Sequence, residues 1–105
     1  MSGYRVSEQA TAELDSIWLY VARDSNSIEI ANTLIDSITA RFWRLASQPH
    51  MGRDRTADLG KGLRSFPAGN YTILYEIAQD HRVHILRVID SRRDIPALLR
   101  KSPVK

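Results

Sequence analysis

The sequence predicts an α+β domain: a helical hairpin on one face of a small antiparallel sheet of three or four strands. The expected order is β-α-α-β-β-β with a short C-terminal helix. Three observations carry this. Two amphipathic stretches, with apolar residues three and four apart, occupy the first half of the chain. Short runs rich in β-branched and aromatic residues, bounded by turn formers, occupy the second. With 105 residues, 43% of them hydrophobic and 26% charged, the chain has enough apolar surface for one core, so a single domain over residues 1–105 is expected.

Tyr4-Arg5-Val6 is short, aromatic and β-branched and reads as a first strand. Ser7 follows as an N-cap, with Glu8 in the first turn, where the helix dipole favours a carboxylate. Ala10, Leu14, Ile17, Trp18 and Val21 form one apolar stripe, which predicts a helix to about Arg23. Residues 24–27 are all turn and cap formers, and Asn26 with Glu29 has the spacing of a capping box. In the second helix Ile28, Ala31, Ile35, Ile38, Phe42 and Leu45 step by threes and fours, Leu34 widens the stripe, and Pro49 ends it. So short a connection folds the two helices into an antiparallel hairpin.

Pro49, Gly52, Gly60 and Gly62, among alternating charges, predict a loop over residues 48–62. Residues 63–66 then read as a short strand that turns at Pro67-Ala68-Gly69-Asn70. In the next strand Tyr71, Ile73, Tyr75 and Ile77 alternate with Thr72, Leu74 and Glu76. After a turn at 78–81 the last strand runs to about Asp90. A simple hairpin puts Ile77 opposite Arg82, Tyr75 opposite His84 and Thr72 opposite Arg87. Tyr71, Ile73, Tyr75, Ile77, Leu86 and Val88 then form the core face. Leu74, Glu76, Ile85 and Arg87 form a second face, half apolar and half charged, too apolar for plain solvent. Residues 95–101 are expected as the terminal helix.

Composition narrows the chemistry. There is no cysteine, hence no disulfide framework and no thiolate metal site, which suits a reducing cytoplasm. No apolar run approaches the roughly 20 residues of a membrane span, and the N-terminus lacks a basic-then-apolar export pattern. His50, His81 and His84 are dispersed, so no metal and no cofactor is expected. No glycine-rich loop follows a strand, and no serine sits in a nucleophile elbow. The charge is uneven. Residues 1–60 hold six Lys/Arg against eight Asp/Glu, and residues 61–105 hold nine against four, within a net charge of +3. That asymmetry suggests a basic face for an acidic partner. Arg64, Arg87, Arg92 and Arg93 lie on adjacent strands or at a strand end, where they can converge, and guanidinium forks suit phosphate or carboxylate. The alternative for them is pairing, Arg87 with Glu76, and Arg93 with Asp90 or Asp94.

Residues 62–77 followed by residues 83–99 resemble the ParE/RelE toxin superfamily, in its ParE branch. The ordered set comprises Tyr-Arg-Val-Ser-x-x-Ala at Tyr4 to Ala10 and Leu-x-x-x-Pro-x-x-Gly at Leu45 to Gly52. It continues with Leu-Arg-Ser-Phe through Tyr-x-Ile-x-Tyr at Leu63 to Tyr75, and ends with the Arg-Val to Arg-Arg-Asp segment at Arg87 to Asp94. The resemblance implies the fold derived above and a toxin of a type II toxin–antitoxin pair, a poison of DNA gyrase or, as the alternative, a ribosome-dependent mRNA endoribonuclease. It implies a cognate antitoxin whose flexible segment covers Leu74, Glu76, Val83, Ile85 and Trp18, and a target met by Arg64, Arg87, Arg92 and Arg93. Direct nucleic-acid binding belongs only to the RelE-like alternative. Missing residues favour the non-catalytic branch. Where RelE-type ribonucleases carry a basic residue after the tyrosine opening the strand, this chain has Thr72, and where they carry a distal tyrosine it has Leu99. Many ParE-like toxins carry a histidine at the final turn, where this chain has Asp90. Within that turn Arg93 and Asp94 are expected to fix the strand exit, leaving Arg64, Arg87 and Arg92 for the target.

Overall fold

The structure is a computed structural model, described over residues 3–103. Its elements are β1 (Tyr4–Val6), α1 (Glu8–Ser25), α2 (Ile28–Ser47), a single 3-10 turn (Pro49–Met51), β2 (Arg53–Asp54), β3 (Arg64–Ala68), β4 (Tyr71–Ile77), β5 (Val83–Asp90) and α3 (Ile95–Lys101). The α+β class and element order match the expectation. The sheet has five strands rather than three or four, in the order β1-β5-β4-β3-β2. β1 runs parallel to β5, and the other neighbours are antiparallel, so the sheet is mixed. The added strand is β2, two residues within the expected loop that pair with Arg64 and Ser65.

Ser7 caps α1 as expected, its hydroxyl accepting from the Ala10 amide at 2.9 Å. The second cap differs. Asn26 takes the left-handed conformation (φ 55°) that ends α1, and Ser27 accepts from the Ile30 amide to start α2. Asparagine tolerates that conformation better than most side chains, so it serves the helix it follows rather than the one it precedes.

Ala10, Ile38, Phe42 and Leu45 of the hairpin pack on Ala68, Ile73, Tyr75, Val83, Ile85 and Val88 of the sheet. The opposite face is covered too: Ile95 and Leu99 of α3 lie on Leu63, Leu74 and Ile89. The β4–β5 register departs from the simple hairpin. Ile77 faces Val83, Glu76 faces His84 and Tyr75 faces Ile85, but Leu74 faces Arg87, leaving Leu86 as an extra residue at a bulge. A one-residue shift exchanges the faces of a strand. Val83 and Ile85 therefore join the hairpin-side core, and Leu86 packs against the α3 side instead.

β1 stops early, and the N-cap Ser7 with Glu13 of α1 take over its edge. The Ser7 amide donates to the Ile85 carbonyl (2.9 Å) and its hydroxyl to the Leu86 carbonyl (2.8 Å). Six residues further, Glu13 Oε1 accepts from the Val88 amide at 2.9 Å. Backbone groups that a longer β1 would have paired are satisfied by the helix.

Candidate partner-binding surface

The four arginines do not form a common patch. Arg64 on β3 donates through one nitrogen to the Gly52 carbonyl (2.7 Å) and the His50 carbonyl (3.2 Å), with Asp54 at 3.9 Å. Tyr75 completes the same knot: its hydroxyl donates to the Pro49 carbonyl (2.7 Å) and accepts from the Gly52 amide (2.9 Å). A Cβ at position 52 would collide with the Tyr75 ring and the Ser65 carbonyl, which explains why the proline turn closes on a glycine. Arg64 therefore holds the turn that precedes β2.

Arg87 is buried, with 6% of its surface exposed. Its Nε and a terminal nitrogen both meet Glu13 Oε2 at 2.8 Å, which ties β5 to α1. That removes Arg87 from the surface, and its partner is Glu13 rather than Glu76. Desolvating a guanidinium requires a carboxylate, and α1 supplies one from a position on its apolar stripe, three residues after Ala10 and four before Ile17. A charge at such a position is the signal that could have revealed the pair.

The strand exit reverses the expected division of labour. Arg92, not Arg93, is bonded: its Nε and a terminal nitrogen reach the Asp90 carboxylate at 3.0 and 2.7 Å, and its amide donates to the same group at 2.9 Å. These bonds hold the Asp90 carboxyl down at a pKa of about 2. Asp94 does not pair with Arg93 but N-caps α3, accepting from the Ala97 amide at 3.1 Å. The Arg93 guanidinium makes no hydrogen bond or ion pair within the described residues and projects from an exposed position.

The residues expected to meet the antitoxin are likewise separated. Val83, Ile85 and Leu74 are fully buried, the first two beneath the hairpin and the third beneath α3, so none offers exposed surface. Glu76 is half-buried, 3.8 Å from His84 Nδ1. Trp18 is half-buried and donates to Asn32 Oδ1 at 2.7 Å, joining the two helices. At the remaining diagnostic positions, Thr72 shares a 2.8 Å hydrogen bond with the Ser91 hydroxyl, and Leu99 is a packing residue of α3.

What stays exposed lies elsewhere. Tyr20 and Leu19 on α1 are 65% and 43% exposed. They continue a groove of about 580 Å³ between α1 and the end of β5, which includes Tyr71, Arg92 and Arg93. Burial, and then the neighbouring Asp90 carboxylate, raise the pKa of the Tyr71 hydroxyl. Ile28 and Ile30 at the start of α2, and Trp43 near its end, are also exposed.

The family model described as "ParE toxin of type II toxin-antitoxin system, parDE" matches residues 4–95, nearly the whole described chain. This chain belongs to the ParE toxin family. It is 34% identical over 91 residues to Toxin ParE3 of Caulobacter vibrioides, covering 87% of this chain and 88% of that one. It is 32% identical over 89 residues to Toxin ParE1 of the same organism, covering 85% and 88%. Toxin ParE1 of Mycobacterium tuberculosis is 27% identical over 94 residues, covering 90% and 94%. A solved structure titled "Chromosomal ParDE TA system from P. aeruginosa" superimposes with a TM-score of 0.73 at 18% identity, covering 86% of this chain and 96% of that one. That likeness is one of fold. As a ParE toxin, the protein is the toxin component of a type II toxin–antitoxin system. The Leu45 to Gly52 and Leu63 to Tyr75 motifs now have a physical meaning: they are the two sides of the knot made by Arg64 and Tyr75. Among the described residues no helix is long and apolar enough to cross a membrane.

Proposed function

We propose that this ParE toxin acts in the cytoplasm by binding and poisoning DNA gyrase, without catalysing a reaction of its own, and that a cognate antitoxin neutralises it. The observation that carries the reading is the chemistry around the strand exit. Cleavage of RNA needs a group that activates the 2′-hydroxyl as well as cations that stabilise the phosphorane. Arg92 and Arg93 supply cations there. Thr72 is occupied with Ser91, Leu99 is packed under the sheet, and Asp90 is bound by Arg92 with its pKa at about 2, which makes it a poor base near neutral pH. The exposed turn is thus equipped to grip an acidic surface rather than to move a proton.

Membership of the ParE family supports the antitoxin, as does the exposure of Leu19, Tyr20 and Trp43, large apolar side chains that a partner would cover. The alternative is a RelE-like mRNA endoribonuclease, which the free Arg93 beside Arg92 would serve only if a base came from elsewhere. Controlled expression in cells separates the two. A gyrase poison produces DNA breaks and an SOS response before protein synthesis falls. A ribosome-dependent nuclease stops translation at once and leaves the DNA intact.

A further inference from the structure

We propose that the free toxin pairs with a second copy of this chain through one exposed side of α2, the two helices lying antiparallel about a two-fold axis at Ser37. The proposal concerns the chain by itself and does not rest on the gyrase reading.

Three features of α2 point to it. The first is an exposed stripe that no other element covers. Ile30 is 53% exposed, and with Thr33, Leu34 and Ser37 it lines a shallow groove of about 690 Å³. Steps of three and four carry the same side of the helix on to Arg41 and Arg44. The buried side, with Ala31, Ile38, Phe42 and Leu45, is a different one.

The second is charge. The helix carries two carboxylates, Glu29 and Asp36, in its first half, and two guanidiniums, Arg41 and Arg44, in its second. None of them forms an ion pair among the described residues. Glu29 and Arg44 suit the helix dipole at their own ends, but Asp36 and Arg41 stand in mid-helix, where the dipole gives them nothing. Two such helices laid antiparallel bring the acidic half of each against the basic half of the other. Laid parallel, like charges would face each other. The antiparallel pair is closed, because one surface serves on both copies.

The third is room for close approach. Thr33, Ser37 and Ala40 in the middle of the stripe are small, so the helix axes can come to about 8 Å, the short end of the packing range. Arg41 donates from one terminal nitrogen to the Ser37 hydroxyl and carbonyl, both at 2.8 Å, which folds its side chain along the stripe. With Ser37 on the axis, Ile30 lies against the stem of Arg44 of the second copy, and Glu29 is beside the same guanidinium. Asp36 is within one turn of Arg41 of the second copy. A single helix face buries less than about 1,200 Å², the class of weak contacts, so the dissociation constant should be about 1–100 μM. The groove that includes Arg93 has no residue of α2 in its lining, so each copy of the pair keeps its strand exit open to a target.

The test is sedimentation equilibrium on the full chain without antitoxin, from about 1 μM to about 1 mM. Glu29→Arg and Arg44→Glu each set like charges together across the axis and should weaken the pair by about tenfold or more. The double variant Glu29→Arg/Arg44→Glu exchanges the charges and should return to within about threefold of wild type. The chain has no cysteine, so an introduced thiol reports on one contact. A disulfide needs Cα atoms within about 7 Å, so Ser37→Cys should cross-link about tenfold faster than Ala57→Cys in the loop after β2. Ile30→Cys should cross-link no faster than Ala57→Cys, since the antiparallel pair sets its two thiols about 20 Å apart. A chain monomeric to about 1 mM overturns the proposal. So does a pair indifferent to both single reversals, a double variant as weak as the single ones, or a Ser37→Cys no faster than Ala57→Cys. The charge variants sit at exposed positions, and if one fails to fold the thiol rates still decide.

Discussion

Removing the Glu13 carboxylate should be the most damaging single change on the surface of α1. Glu13 accepts two bonds from Arg87 and one from the Val88 amide, all at 2.8–2.9 Å. The Arg87 side chain is 7% exposed and that of Glu13 21%, so water screens the pair only from one side. In Glu13→Ala the buried guanidinium keeps its charge and loses its counter-ion, while the Val88 amide loses its acceptor. Breaking a buried pair from one side costs about 3–5 kcal/mol. The partial exposure of Glu13 argues for the lower end, about 3 kcal/mol, a large share of a total stability of about 5–15 kcal/mol. For a domain of this size that lowers Tm by about 10–20 °C. The assay is a thermal melt with urea unfolding on Glu13→Ala, Arg87→Leu and the double variant. Removing both charges leaves an apolar contact, so the double variant should be more stable than Glu13→Ala alone. A Glu13→Ala loss below about 1 kcal/mol would refute the reasoning, because losses of that size are typical of exposed pairs.

Ile38→Asp should leave no cooperative melt, since it puts a carboxylate at a position 1% exposed, at a cost of several kcal/mol. Gly52→Ala should lower Tm sharply, because the new methyl meets both the Tyr75 ring and the Ser65 carbonyl. Adding Tyr75→Phe should restore only part of the loss, since the backbone clash remains. The low-pH limb of the stability curve should carry the Asp90–Arg92 bonds. The folded pKa of Asp90 lies below its ordinary value of 3.8, at about 2, so its contribution is complete above pH 4 and fades as pH falls through about 2. Arg92→Ala should remove the side-chain part of that contribution, leaving the bond from the residue 92 amide, and so make the Tm profile shallower between pH 4 and 2, whereas Arg93→Ala, which removes only a weaker through-space attraction, should change the profile much less.

Periodicity made the two helices and β4 legible, because each buries one face and their stripes have the periods of helix and strand. The register of β5 was not legible. It depends on a bulge at Leu86, and nothing in the alternation of residues 83–90 marks which residue is extra. The exposure expected for Val83 and Ile85 has another origin, the turn before the strand, which sets Ile77 opposite Val83 rather than Arg82; the bulge then returns Val88 to its expected face. The arginines misled for a different reason. Their positions along the strands suggested convergence, but each guanidinium answers to its nearest acceptor in space. For Arg64 these are the carbonyls of a turn, and for Arg87 a carboxylate on a distant helix. Glu13, a charge on an apolar stripe, is the sequence signal that could have revealed the second of these pairings in place of the expected Glu76. The short strand β2 had no pattern of its own, and it lies beside the turn that Arg64 and Tyr75 hold.

The central claim is a toxin that binds gyrase rather than one that cuts RNA. The direct measurement is DNA supercoiling by purified gyrase, with cleaved DNA scored on the same gel, as this chain is added with and without its antitoxin. The account predicts loss of supercoiling and accumulation of cleaved DNA, both reversed by the antitoxin and weakened by Arg93→Ala. Unaltered gyrase activity at concentrations where the same preparation cleaves mRNA on ribosomes would contradict it.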